Sequence, residues 1–224
     1  MRRRPAARPW SWLPTWRRPT WRGVALALDR PDAAATEELE TAIRLDPRLF
    51  EAYYFHARTL LAQGRLEDAA AAFEQASRVR PEDYQAAALV IGVYRGLGRM
   101  SEAESAARRA LDMIERHLEL NPDDARAWNM AAAGWCFLGD RERALDWTTR
   151  ALRLDPADPV ICYNAACTYA LLGQPEPALE SLERAVEKGF VHREWMEHDA
   201  DLDGLRGHPR FEALIAQCQR GRTS

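Results

Sequence analysis

The chain repeats itself. Gly64, Gly98, Gly139 and Gly173 are spaced 34, 41 and 34 residues apart, and Pro47, Pro81, Pro122 and Pro156 are spaced 34, 41 and 34 as well. Two independent markers keep one rhythm and slip by seven at the same place. A period of this length built from two helical segments predicts a helical solenoid, in which no unit can bury its apolar face alone and each packs on its neighbours. Chains of this architecture build extended binding surfaces far more readily than catalytic clefts.

Residues 50–83 show the unit most clearly. FEAYYFHARTLLAQG places Tyr53, Leu60 and Leu61 on one side of a helix that Gly64 ends. LEDAAAAFEQASRVRP forms a second helix through Ala69, Phe73 and Ala76, and Pro81 stops it. Ala69, Ala103, Ala144 and Ala178 recur after each turn glycine, and Ala76, Ala110, Ala151 and Ala185 recur one heptad later. Opposite them stand the bulky residues Leu60, Tyr94, Trp135 and Tyr169. Alternating small and large side chains let two helices interdigitate. Asp83, Asp124 and Asp158 are expected N-caps, with Pro159 at the first helical position. Ser101 and Glu104 read as a capping box opening the second helix of their unit. The seven extra residues fall in that helix, SEAESAARRALDMIERHLELNP, and predict one of about 20 residues that projects beyond its neighbours.

The string WNMAAAGWCFLGDRERALDWTTRALRLDP at 128–156 resembles the tetratricopeptide repeat family almost throughout. Four units are recognisable, at 50–83, 84–124, 125–158 and 159–188, and a degenerate one ends in ATEELETAIRLDP at 35–47. Its first helix would fall near 16–29, where Pro19 interferes and only Arg22, Gly23 and Leu26 fit the pattern. The resemblance covers roughly three quarters of the chain. It implies an all-α, right-handed superhelical solenoid of antiparallel helix pairs. The expected organisation is a basic, disordered tail at 1–23, a repeat array at 24–188 and a capping segment at 189–224. The closing stretch HREWMEHDADLDGLRGHPRFEALIAQC resembles the end of arrays that follow bacterial nucleotide cyclases, serine/threonine kinases and transcriptional regulators. No such catalytic or DNA-binding domain is recognisable in this sequence. Trp195, Leu202, Leu205, Phe211 and Leu214 are expected to cover the apolar end of the stack.

The net charge of -3 conceals an asymmetry: seven arginines and no acid give residues 1–23 a charge of +7, leaving -10 on the remainder. An acidic body argues against nucleic acid as the main partner. Cys136, Cys162, Cys167 and Cys218 lack metal-ligand or redox spacing and read as small core residues of a reducing compartment. No stretch is long and apolar enough for a membrane span, and MRRRPAARPW has no apolar run behind its charges, so the expected location is the cytoplasm. Asp199, Asp201, Asp203 and Gly204 imitate the start of a calcium loop, but Arg210 stands at the twelfth position, where a bidentate carboxylate is needed. His56 reads as a hydrogen-bonded core histidine, and none of the five histidines has a partner at metal-ligand spacing. Neither a phosphate loop nor a nucleophile elbow is present, so no enzyme, cofactor or metal is expected.

In the resembling family, successive first helices line a concave groove that holds a peptide or helix. Carried onto this chain, that face presents Tyr54, Arg58, Arg95, Arg126, Asn129, Tyr163 and Asn164. The paired lysines and asparagines of the family's carboxylate clamp are missing, so capture of chaperone C-termini is not implied. The expected function is a non-catalytic scaffold or adaptor for a protein partner, an acidic peptide in particular, in bacterial regulation. The alternative is a small-ligand sensor serving a separate cyclase, kinase or regulator. The oligomeric state does not follow from the sequence.

Overall fold

The computed structural model describes residues 18–29, 31–190 and 193–220. The turn glycines set its rhythm. Gly64, Gly98, Gly139 and Gly173 have φ of 74, 70, 82 and 66°, a region that side chains disfavour. Beyond each glycine the next N–H turns back to the helix: Arg65 donates to the Leu60 carbonyl, Arg99 to Tyr94, Asp140 to Trp135 and Gln174 to Tyr169. These closures satisfy the last free carbonyls of the first helix and aim the chain into the second.

The resulting pairs are α1 (Arg18–Asp29) with α2 (Ala33–Leu45), α3 (Phe50–Ala62) with α4 (Leu66–Val79), and α5 (Tyr84–Gly96) with α6 (Met100–Leu120). They continue with α7 (Ala125–Phe137) and α8 (Arg141–Leu154), then α9 (Pro159–Leu171) and α10 (Pro175–Glu187). A short α11 (Arg193–His198), a 3-10 helix (Ala200–Leu205) and α12 (Pro209–Arg220) close the chain. No strand occurs among the described residues. The helix pairs are those of a helical solenoid.

The chain divides into two compact units between Ala106 and Ala107, within α6. In the first unit α1 packs on α2 and α3, α2 on α3, α3 on α4, and α4 on α5. In the second, α7 packs on α8 and α9, α8 on α9, α9 on α10 and on the 3-10 helix, and α12 on α10 and α11. The recurring alanines make this possible: all eight are buried. Asp83, Asp124 and Asp158 do cap α5, α7 and α9, each accepting from backbone N–H groups of the first turn.

Four expectations change. Pro19 does not interrupt α1, because it lies in the first turn, where its missing N–H has no intrahelical partner to lose. The expected tail therefore ends too late: residues 18–23 are helical, Thr20 and Gly23 are buried, and residues 1–17 lie outside the described residues. Ser101 does not open a capping box, since α6 already begins at Met100 and Ser101 sits inside its first turn. Leu61 does not share the buried side of α3 with Leu60 but is 36% exposed. The long helix holds, at 21 residues.

At the C-terminal end Gly189, with φ 98°, replaces the Asp-Pro stop of earlier units, and Phe190 N–H returns to the Ala185 carbonyl at 2.9 Å. Leu202, Leu205, Phe211 and Leu214 then join Tyr163, Cys167, Leu179, Leu182 and Phe190 in one buried cluster against α9 and α10. Each such apolar side chain withdrawn from water contributes about 1.5–3 kcal/mol before entropy is counted. The side chain of Trp195 lies outside the described residues.

Candidate functional site

The seven residues carried over from the family resemblance do not form one exposed strip. Tyr54 is 5% exposed, stacked on Phe50 at 5.6 Å and edge-on to Phe73 at 6.3 Å. Tyr163 is 2% exposed, with its ring 4.3 Å from Phe190 and nearly parallel to it. Its hydroxyl donates to Asp199 Oδ2 at 2.8 Å, and Cys167 Sγ lies 3.6 Å from the same oxygen. The chain's own closing segment thus takes the Tyr163 side chain, one of those expected to meet a ligand. Asn129 is 2% exposed; its Oδ1 accepts from Asn164 Nδ2 at 2.9 Å, tying α7 to α9, and its Nδ2 has no hydrogen bond. Tyr54, Tyr163 and Asn129 are therefore core residues, because the helix positions that carry them are those on which adjacent helices close.

The arginines and Asn164 keep access to solvent. Arg58 and Arg95 are half-buried on α3 and α5, both in the first unit, and Arg126 is exposed on α7 in the second. The Arg58 guanidinium sits 5.7 Å from the Tyr54 ring centre and 5.8 Å from that of Phe55, with no ion pair among the described residues. One turn on, exposed Leu61 offers an apolar neighbour. Many other arginines are engaged within the chain: Arg80 with Glu51 at 2.9 Å, Arg65 with Asp68 at 2.6 Å, Arg99 with Glu102, and Arg210 with both Glu183 and Glu176 at 2.8 Å. That last fork engages Arg210 with two carboxylates of α10. Asp199, meanwhile, caps the 3-10 helix through the Asp201 N–H.

Two further features escaped sequence reasoning. In the second unit Trp128, Trp135 and Trp147 form an aromatic cluster, with Trp147 4.6 Å from Trp128 and 6.2 Å from Trp135. Arg143 covers the Trp135 ring at 3.4 Å, and Arg150 covers Trp128 at 4.3 Å. In the first unit a pocket of about 470 Å³ opens between α2, α3 and α4. Tyr53, His56, Leu60 and Ala72 line it, and Glu40, Arg44, Arg65 and Asp68 add charges of both signs. His56 is not the hydrogen-bonded core histidine expected of it: its Nε2 is buried without a hydrogen bond, 3.9 Å from a Glu40 carboxylate oxygen. Burial holds its pKa below the ordinary 6.5, against a smaller pull upward from Glu40. The repeat register, which sets Trp128, Trp135 and Trp147 against Tyr53, Leu60 and Ala72, is the signal that would have found both features.

Burial pushes the thiols of Cys162, Cys167 and Cys218 above their usual range, the reverse of what activates a nucleophile. Among the described residues no three His, Cys, Asp or Glu side chains gather as metal ligands, and no helix is long and apolar enough to cross a membrane.

Helix pairs closed by left-handed glycines, stacked through alanine and capped at the end, define a repeat array of the protein-interaction class. Two tetratricopeptide-repeat profiles match residues 54–117 and 160–187, so the chain carries tetratricopeptide repeats over those stretches. A crystal structure of a thermophilic tetratricopeptide-repeat protein from Thermus thermophilus superposes with a TM-score of 0.64 at 25% identity, covering 90% of this chain and 99% of that one. The Cell division cycle protein 27 homolog of Caenorhabditis elegans is 31% identical over 115 residues, 51% of this chain but only 13% of that much longer protein. YrrB, described as a TPR protein with an unusual peptide-binding site, is 24% identical over 78% of this chain and 86% of its own, at a TM-score of 0.46. Proteins of this fold are scaffolds for protein–protein interaction, and the fold is typically non-catalytic.

Proposed function

We propose that the array holds an extended partner segment that joins carboxylates to an apolar anchor. The observation that carries this reading is Arg58. Its guanidinium is oriented over two aromatic rings, has no acidic partner among the described residues, and stands one turn from exposed Leu61. A planar fork held in place takes a carboxylate with little entropy left to lose, and an adjoining apolar side chain supplies contact area. Buried Tyr54 and Tyr163 have no part in the anchor; Leu61 takes their place. The setting we infer is bacterial regulation.

A peptide library displayed on a surface tests the reading. The chain should enrich sequences that place Asp or Glu beside Leu or Phe, and binding should weaken as salt rises, because the charge pairing lies near solvent. Arg58→Ala and Leu61→Ser together should remove the enrichment while the helical circular-dichroism signal persists. Enrichment of basic or purely apolar peptides, or full retention by the double variant, would sink the proposal.

A further inference from the structure

The repeat register allows one unit to be compared with another. A shift of 75 residues carries Gly64 onto Gly139 and Pro47 onto Pro122. The same shift carries Tyr53 onto Trp128, His56 onto Ala131, Leu60 onto Trp135 and Ala72 onto Trp147. The first member of every one of these four pairs lines the 470 Å³ pocket of the first unit. Three of the second members are the tryptophan cluster of the second. Where Trp147 fills the face between helices with its indole, Ala72 leaves it open. Tyr53 and Leu60, smaller than Trp128 and Trp135, leave it wider still.

We propose that the pocket bounded by Tyr53, His56, Leu60 and Ala72 binds a planar, uncharged heteroaromatic group of indole size. The chain itself shows at the equivalent place that such a ring is accommodated edge-on to aromatic neighbours, the favoured arrangement for two π-systems. The volume lies in the range of small-ligand pockets, and Ile43, Leu60, Ala71, Ala72 and the Tyr53 ring supply its apolar wall, with His56, Gln75 and four charged side chains around it. Glu40 and Asp68 are balanced by Arg44 and Arg65, which favours a neutral ring over an ion. His56 replaces the alanine of the equivalent repeat and brings a buried nitrogen with no hydrogen bond. This site is separate from Arg58 and Leu61, so it stands whether or not the acidic-segment reading does.

Fluorine NMR of the full chain with 5-fluoroindole tests it. The probe should show saturable shift or broadening. Ala72→Trp, which plugs the pocket with the chain's own solution at the equivalent position, should weaken binding by about tenfold or more. Ala72→Leu is a smaller plug that serves the same purpose if the tryptophan variant does not fold. Trp147→Ala should add a second probe site in the other unit. Displacement of the probe by a capped peptide with a central tryptophan assigns the ring to a partner side chain; displacement by indole-3-acetamide but not by the peptide assigns it to a free small molecule. No saturable signal with the parent chain, or an undiminished one with a plugged variant that remains folded, overturns the assignment.

Discussion

His56 and Tyr163 show how much of a residue's role depends on what lies opposite. On their own helices both sit among apolar neighbours; one faces a pocket and the other a carboxylate from the closing segment. Burial keeps Tyr163 in its neutral, hydrogen-donating form by pushing its pKa well above the ordinary 10, and the nearby Cys167 and Asp199 act in the same direction. For His56 burial acts the other way, favouring the uncharged ring. The sign of its effect on stability follows. Below about pH 6.5 the unfolded chain takes up a proton at this histidine that the folded chain resists, so the fold loses stability as the pH falls. His56→Gln should lack that component. Comparing unfolding free energies of parent and variant at several pH values between 7.5 and 5 should show the parent losing more on acidification; parallel curves would mean that the ring is not desolvated.

At the level of the helix pair, alanine is the decisive residue. Ala144 on α8 is buried without residual exposure, and its equivalents on α4, α6 and α10 are alanine as well. Ala144→Leu should therefore overpack the α7–α8 contact and cost about 1–3 kcal/mol, measured as a lowered denaturation midpoint. A midpoint equal to the parent's would show that the repeat register has been read wrongly. These contacts were legible because helical periodicity and close approach leave marks at fixed spacing. The capping box at Ser101 and Glu104 was misread for the opposite reason. Helix starts depend on which backbone N–H is left free, and in α6 the bonds from Met100 to Gly98 and from Ala103 to Arg99 place that start ahead of the serine. Pro19 was misjudged in the same way, since a proline breaks a helix or begins one according to a boundary that only the fold sets.

For the whole molecule, the N-terminal boundary changes what truncation should do. From composition, residues 1–23 are expected to form a basic, disordered tail. In the structure α1 begins at Arg18, Thr20 and Gly23 are buried, and a Cβ on Gly23 would lie 2.7 Å from Leu39 Cγ, so α1 and α2 meet in close contact. A chain starting at residue 24 should melt below one starting at residue 18, by about 2–4 °C for each kcal/mol of packing lost. Equal melting temperatures would mean that the first half of α1 adds nothing to the fold. The candidate site was only partly legible at this scale. Arg58 could be placed on a first helix from its spacing, but nothing in the local sequence distinguished the exposed Leu61 from the buried Tyr54, since both are apolar-bodied residues of α3.

The sequence by itself determined the helix pairs, their turns and the small-to-large alternation. All of these rest on local backbone preference or on a spacing repeated along the chain, and both survive without knowledge of distant contacts. Only the tertiary structure decided which face of each first helix stays open. Asp199 reaches Tyr163 across 36 positions, Asn164 reaches Asn129 across 35, and the pocket draws on three helices at once. Burial is a property of the assembled neighbours rather than of the residue. An equivalent position can therefore hold an indole in one repeat and an empty pocket in another while the period that relates them stays unchanged.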